Sequence, residues 1–430
     1  MAHLVFVEST RPGLRALEVA RRLGHHVTYV TAHQMDWLLP EADRARLRRC
    51  ADVVDVVIDA PDTHDPDALT AVLGRHAAAR PIDAVLSTLH QFVEPAAIAA
   101  RRLGARGAGV DGIRAARDKA RCREILRERG IPSARHAVVR SAEEARAALR
   151  EIGAPAILKP TTGVGKVLTT IVRDERDAIE HFAHAARSYD ALRPGVKAEI
   201  TLEFVLEELI DGPLYSLELG VSAHGEHAPF AIVKRKVCKH NAVLEIGSTF
   251  PGDLTEAQHD AAAEYGVRVV KALGLDLGIF HLEIIYAADG PRLVEVNPRI
   301  AGGAIPDLIR TATGADLFEQ LIRIYAGEHL EVGRLPCTGA TSQTCIAALE
   351  DCVVRGDLPP DWFEPFRARI TAGSVDVVAG QRLRRMDGNY DLYGVVRVTA
   401  EDYATAVCRT EELRREVETR LGVKLVEVVD

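Results

Sequence analysis

Short apolar runs alternate with amphipathic stretches along residues 1–112 of this chain. HLVFVE (residues 3–8), His26–Thr31, Val53–Ile58 and Ala84–Thr88 read as strands. Between them lie helical patterns, first Leu14–Leu23 and then alanine- and arginine-rich segments. Strand and helix in strict alternation predict a parallel sheet covered by helices, so residues 1–112 read as a Rossmann-like domain. The dinucleotide fingerprint is missing, because the first turn, ESTRPGLR, holds a single glycine.

From Asp111 the pattern changes. DGIRAARDKARCREILRERG is a charged helical stretch ended by Gly130 and Pro132. Ser141 with Glu144, and Thr255 with Gln258, are spaced as capping boxes for the helices that follow them. Apolar runs at Ala156–Lys159, Leu168–Val172, Leu202–Leu206 and Tyr215–Val221, broken by Gly and Pro, give an α+β texture. A third segment begins after Gly327 and ends as strand (Gly394–Val398), helix (Glu401–Leu421) and strand (Lys424–Val428), a small α/β cap. The reading is α/β and α+β overall, divided at 1–112, 113–327 and 328–430.

Bulk properties narrow this picture. With 430 residues the chain is too long for one core and suggests domains of roughly 150 residues. A net charge of −8, from 54 basic and 62 acidic side chains, leaves no basic footprint for nucleic acid and no polybasic membrane anchor. No run approaches the ~20 apolar residues that cross a bilayer. The N-terminus reads as a first strand and not as a signal peptide. Cysteines at 50, 122, 238, 337, 345, 352 and 408 form no C-x-x-C pair, which argues against a disulfide scaffold or zinc ribbon. A reduced, cytoplasmic protein is the expectation.

The candidate chemistry starts with IFHLEIIYAADGPRLVEVN, residues 279–297, two alternating strands around Asp289-Gly290 that read as a hairpin. His281, Glu283 and Ile285 share one face of the first strand, and Leu293, Glu295 and Asn297 share one face of the second. A three-residue loop with Gly290 left-handed pairs Ala287 with Pro291, Glu283 with Glu295 and His281 with Asn297. A two-residue loop shifts the pairing by one and leaves the shared face intact. Like charges directly opposite on a strand pair are destabilising, and a cation between them removes that penalty. Oxygen ligands completed by phosphate and water suit Mg²⁺. Arg299, next to this face, offers a fork of donors to a phosphoryl or carboxylate oxygen. Gly302 and Gly303 expose backbone N–H groups to an anionic substrate group.

ILKPTTGVGKV, residues 157–167, ends an apolar strand with Lys159 and continues as a Thr/Gly-rich loop suited to covering phosphates. It is neither a Walker A loop nor G-x-G-x-x-G, because Val167 follows Lys166 and Leu168 fills the last glycine position. His90, Gln91 and Glu94 follow the Ala84–Thr88 strand. They are placed to face a cleft at strand carboxyl ends, or equally to serve as a helix cap and a surface charge.

In order, RDK (Arg117–Lys119), ILKP with its glycine loop, LEELIDG (Leu206–Gly212), HLEI (His281–Ile284) and LVEVNPR (Leu293–Arg299) resemble the ATP-grasp superfamily. The likeness runs from the N-terminal domain to about residue 325. NPRIAGGAIPDLI (Asn297–Ile309) and LEIGSTFPGDL (Leu244–Leu254) resemble the L-amino acid ligases, which are carboxylate–amine ligases. The resemblance implies an ATP-grasp fold with an N-terminal Rossmann-like domain, a glycine-loop lid within 113–200 and a C-terminal cap.

It further implies that Lys119 and Lys159 bind phosphate beneath a lid of Thr162, Gly163, Gly165 and Lys166. Glu207, Glu208 and Ile210 would meet adenine, the last two through backbone atoms. Glu283, Glu295 and Asn297 would hold Mg²⁺, or Mn²⁺, and Arg299 the phosphoryl group or carboxylate. Glu245 would sit in the substrate pocket. Three positions depart from the family pattern: Leu214 where Glu is common, Ser248 where dipeptide-forming members carry His, and Lys166 where a small residue is usual. The implied activity is ATP-dependent amide formation between a small carboxylic or amino acid and an amino acid, through an acylphosphate, by a homodimer acting on small molecules. The alternatives are a small-molecule carboxylase, a purine-pathway-type ligase or a non-catalytic ATP-binding module.

Overall fold

A four-stranded parallel sheet forms the start of the chain: β1 (His3–Val7), β2 (His26–Thr31), β3 (Val56–Asp59) and β4 (Ala84–Leu86), in the order β3-β2-β1-β4. All of β1 is buried, as helix-covered parallel strands must be. β3 starts three residues later than its apolar run; Val53 and Val54 are buried in the core ahead of it. The structure is a computed structural model and describes residues 1–36, 39–48, 53–163, 165–192, 197, 199–388 and 391–429.

The charged stretch predicted as one helix is two, Val110–Arg117 and Lys119–Glu128. Asp118 takes extended dihedrals between them, and its carboxylate accepts from the Arg121 N–H at 3.0 Å. The break makes Lys119 the first residue of a new helix, with its N–H donating to the Thr161 carbonyl at 2.9 Å. Asp118 wins because an Asp at an N-cap satisfies a donor that a continuous helix would not leave free.

β5 (His136–Val139), β6 (Ala156–Pro160), β7 (Thr170–Val172) and β8 (Phe204–Glu208) make an antiparallel sheet, order β5-β8-β6-β7. Helices Ala142–Ile152 and Glu175–Tyr189 cover it around a core of its own that includes Leu149, Leu158, Phe204 and Leu206. The Ser141 capping box is half formed. The Ser141 hydroxyl accepts from the Glu144 N–H, but the Glu144 carboxylate accepts from Arg140 N–H and not from Ser141. The Thr255–Gln258 box is complete.

The remaining strands are β9 (Leu214–Val221), β10 (His227–Cys238), β11 (Asn241–Phe250), β12 (Gly278–Ala287), β13 (Gly290–Asn297), β14 (Ala340–Ile346), β15 (Cys352–Val353), β16 (Ala372–Val375), β17 (Arg382–Leu383), β18 (Gly394–Ala400) and β19 (Val428–Val429). The central sheet runs β13-β12-β9-β10-β11-β14-β18-β16, with β19 on β10, and β15 pairs β17 apart from it. The sheet therefore continues across residues 327–328, because β11 pairs β14. The predicted last strand, Lys424–Val428, shrinks to Val428–Val429, while Leu425 and Val426 are buried instead as core.

The six described cysteines are free thiols, and Cys50 lies outside the described residues. No helix among the described residues is long and apolar enough to cross a membrane.

Candidate functional site

The hairpin β12–β13 places the carboxylates, by a route the alternation did not predict. Its turn is the two-residue Ala288–Asp289, with Ala287 opposite Gly290 and Ile284 opposite Leu293. A β-bulge then inserts Val294, and beyond it Glu283 faces Glu295 and His281 faces Asn297, the expected pairs. The bulge changes the strand's alternation. Leu293 therefore joins Val296, Leu282 and Ile284 in the core and not, as expected, the carboxylate face. The Val294 carbonyl is left free to accept from Arg123 Nη2 at 2.7 Å and Lys159 Nζ at 3.4 Å.

Glu283, His281 and Asn297 are buried and line a cleft of about 1220 Å³ between the central sheet and the lid sheet. Lys119, Lys159, Gly163, Gly165, Lys166, Glu245, Glu295, Arg299, Gly302 and Gly303 line the same cleft. So do Leu214 and Ser248, the two positions that depart from the expected pattern on the nucleotide and acceptor sides. Thr162 does not line it. Its hydroxyl and N–H turn to Thr201 Oγ1, at 3.3 and 3.4 Å. Val164 of the same loop lies outside the described residues.

Charges on this face are tightly organised. Lys166 Nζ stands 2.9 Å from Glu283 Oε2 and 3.2 Å from Glu245 Oε1, and Lys119 Nζ is 3.7 Å from Glu295. Burial pushes the Glu283 carboxyl up, but Lys166, His281 and Arg235 outweigh it and hold it well below the usual range. Burial and Glu283 raise Glu295, yet Lys166, Lys119 and Lys159 leave it lowered. Both carboxylates are thus ionised at neutral pH, as metal ligands must be. β9 contributes fully buried Glu218, whose Oε1 lies 2.5 Å from His281 Nδ1 and whose Oε2 accepts from the Ala301 N–H. Burial alone would depress His281, but Glu218 and Glu283 lift it to about 9. Its Nε2, 3.6 Å from Glu283 Oε1, then steadies that carboxylate.

The two carboxylates and the Asn297 amide offer only oxygen donors, and Asn297 Nδ2 donates to Glu295 Oε1 at 3.2 Å, turning its oxygen the other way. No group of three or more His, Cys, Asp or Glu fit for a metal occurs among the described residues. An oxygen-only donor set of this kind suits Mg²⁺ better than zinc.

The hinge differs from expectation. Glu207 is 4% exposed and does not reach the cleft; Arg123 holds it by two bonds, 2.9 and 3.1 Å, and Lys159 Nζ lies 2.8 Å away. Burial pushes the Glu207 carboxyl up, but Arg123 and Lys159 overcome this and hold it at about 2. Glu208 pairs outward with Arg135, and its N–H is already donated to the Arg135 carbonyl. The strand ladder consumes these groups, and the residues of this segment that line the cleft are Leu209, Ile210, Asp211 and Gly212. Gly212 must be glycine here, because a Cβ would sit 2.4 Å from the Tyr286 carbonyl and φ is +145°.

Arg299 Nη1 donates to the Ile300 carbonyl at 2.9 Å, beside the exposed Gly302 and Gly303. His90 is drawn toward this corner. Burial lowers its pKa well below the ordinary value, Arg299, Arg117 and Lys119 act the same way, and Asn297 opposes them. Glu94 instead pairs with Arg114 and Arg117, so it is a scaffold charge.

Sequence reading missed Arg123, Glu218 and Arg235, which forms a close ion pair with Glu245. A signal existed for one of them: Glu218 is the lone charge inside the apolar run YSLELGV. Arg123 in a charged helix and Arg235 in the run KRK carry none.

Comparison with known proteins places this geometry in context. An ATP-grasp domain matches residues 152–307 and an ATP-grasp N-terminal domain matches residues 17–105. Alanine–anticapsin ligase from Bacillus subtilis (strain 168) is 32% identical over 263 residues, 56% of this chain and 53% of that protein. The uncharacterized protein y4rH from Sinorhizobium fredii is 28% identical over 353 residues, 80% of this chain and 68% of its own. The chain thus spans about half the length of the anticapsin ligase and about two-thirds of y4rH. The crystal structure of L-amino acid ligase from Bacillus licheniformis superposes with a TM-score of 0.73 at 18% identity, covering 98% of both chains.

Proposed function

This chain belongs to the ATP-grasp superfamily, and from that premise we propose that it is an ATP-dependent carboxylate–amine ligase that joins two small molecules through an amide bond. The observation that carries the reading is the cross-strand pair Glu283–Glu295 with Asn297, set in one cleft with Lys119, Lys159, Arg299 and Glu245. The names of two relatives, an alanine–anticapsin ligase and an L-amino acid ligase, support carboxylate and amine substrates of amino-acid type.

Each residue takes a role that its position allows. Lys119 and Lys159 neutralise phosphate oxygens from the ends of a helix and a strand. Glu283, Glu295 and Asn297 would hold Mg²⁺, which would supply positive charge to offset that of the phosphates. Arg299, with the backbone N–H groups of Gly302 and Gly303, orients the substrate carboxylate so that one oxygen attacks the γ-phosphorus and ADP leaves. Glu245 receives the incoming amine near the acyl carbon. The neutral amine attacks the acyl carbon, the C–O bond to phosphate breaks, and the proton lost from nitrogen leaves with the departing phosphate. Positioning and charge neutralisation suffice for both steps, and no protein nucleophile is required.

Phosphate release measured with ATP, Mg²⁺ and a panel of amino acids, singly and in pairs, tests the proposal. Release that needs both a carboxylate and an amine donor is the expected result. Bicarbonate-dependent release would instead indicate a carboxylase, and nucleotide binding without turnover a binding module.

A further inference from the structure

Lys166 contacts Glu283, one of the three groups that the proposed reading assigns to a metal, and it does more than add charge to the loop. Its ammonium bridges two carboxylates from different strands, Glu283 of β12 on the metal side and Glu245 of β11 on the amine side. The side chain is only 18% exposed, although it comes from a surface glycine loop. The backbone bends sharply to deliver it: Gly165, Lys166 and Leu168 have φ of +65°, +62° and +55°. Two non-glycine residues in that region carry a cost, which persists only where neighbouring contacts hold it. Here the two carboxylates hold Lys166, and Leu168 is held by packing into the core of the β5–β8 sheet.

We propose that Lys166 is an interlock between the metal and amine subsites, so that loading of the metal nucleotide ejects Lys166 and thereby opens Glu245 to the amine. The inference rests on the reading of Glu283 as a metal ligand and Glu245 as the amine-binding residue. A divalent ion takes a carboxylate oxygen at about 2.1 Å, and an ammonium on that same oxygen is a second cation held close enough to repel it. Metal and Lys166 therefore exclude each other on Glu283. Once Lys166 leaves, Glu245 keeps its ion pair with Arg235 but has lost one cation, which a substrate ammonium can replace. The order of addition follows: metal nucleotide first, amine second.

Two measurements on the full chain test this. Mn²⁺ binding followed by electron paramagnetic resonance, without nucleotide, compares wild type with Lys166→Met. If Lys166 occupies Glu283 about nine-tenths of the time, its removal tightens Mn²⁺ binding about tenfold. Equal or weaker binding to a folded variant overturns the interlock. The second measurement needs no variant. Trypsin cuts after Lys166 only when that side chain is out of the carboxylate face. Mn²⁺ should therefore speed cleavage at Lys166–Val167 relative to other sites in the same digest, following the binding curve. Unchanged or slower cleavage overturns the proposal. Failure of Mn²⁺ to bind either protein, together with no phosphate release, would sink the ligase reading; equal affinities with turnover intact would sink only the interlock.

Discussion

Two buried ion clusters in this molecule use the same residue types and behave oppositely. In one, Glu207 is clamped by Arg123 and Lys159, all at most 6% exposed. Both cations are fixed in regular structure, Arg123 in helix Lys119–Glu128 and Lys159 in β6. In the other, Glu283 faces Glu295 across a strand pair, and the cation nearest to Glu283 arrives on a glycine loop. What separates Glu207 from Glu283 is where the nearest counter-ion is anchored: on a helix and a strand for Glu207, and on a loop for Glu283, which on the proposed reading trades it for a metal.

The largest expected effect breaks the exchangeable cluster. Glu295→Gln should lower phosphate release by about 10³-fold, the scale of losing one charge-stabilising group. Its thermal midpoint should stay close to wild type, because the lost charge lay opposite another carboxylate. Glu207→Gln should do the reverse. It leaves Arg123 and Lys159 buried beside a neutral partner, and breaking such a pair costs about 3–5 kcal/mol, read as a lower urea midpoint. The ATP KM should rise as well, since Lys159 loses its positioning partner.

Acid sharpens the contrast further. Glu207 is held at about 2, below its ordinary carboxylate value. A depressed carboxyl stabilises the fold above its unfolded pKa, and that stability is lost as pH falls through the folded pKa. Wild type should thus lose stability between roughly pH 4.5 and 2. Glu207→Gln should lack that component, so urea midpoints at pH 5 and pH 3 should converge for the two proteins. The smallest effect lies on the acceptor wall. Ser248→His should change the KM for the amine by up to about tenfold and leave the ATP KM unmoved, as one pocket contact allows.

Much of this was legible in the sequence, for reasons that particular residues show. His26–Thr31 is a strand to the residue, buried at all but His26, because a helix-covered parallel strand reads as one run rich in β-branched and aromatic residues. The Glu283–Glu295 pairing was legible from alternation, although it is reached through a two-residue turn and a bulge whose errors of register cancel. That bulge was not legible: Val294 looks like any strand valine, and only the demand of Arg123 and Lys159 for a carbonyl explains it. Glu207 was misplaced because a strand's period tells which residues share a face, not which face meets the cleft. The split at Asp118 was hidden by the strong helical pattern on both sides of it. Arg235 and Glu245 meet through strand pairing between β10 and β11, a contact that neither segment announces alone.

The central claim is that a substrate carboxylate is activated by phosphorylation in the cleft built on Glu283 and Glu295. Labelling both carboxylate oxygens of the acid substrate with ¹⁸O, and measuring the released phosphate by mass spectrometry, tests it directly. An acylphosphate route transfers one labelled oxygen to each phosphate formed, with the label in product reduced to match. Phosphate released without label, while amide accumulates, would contradict the account.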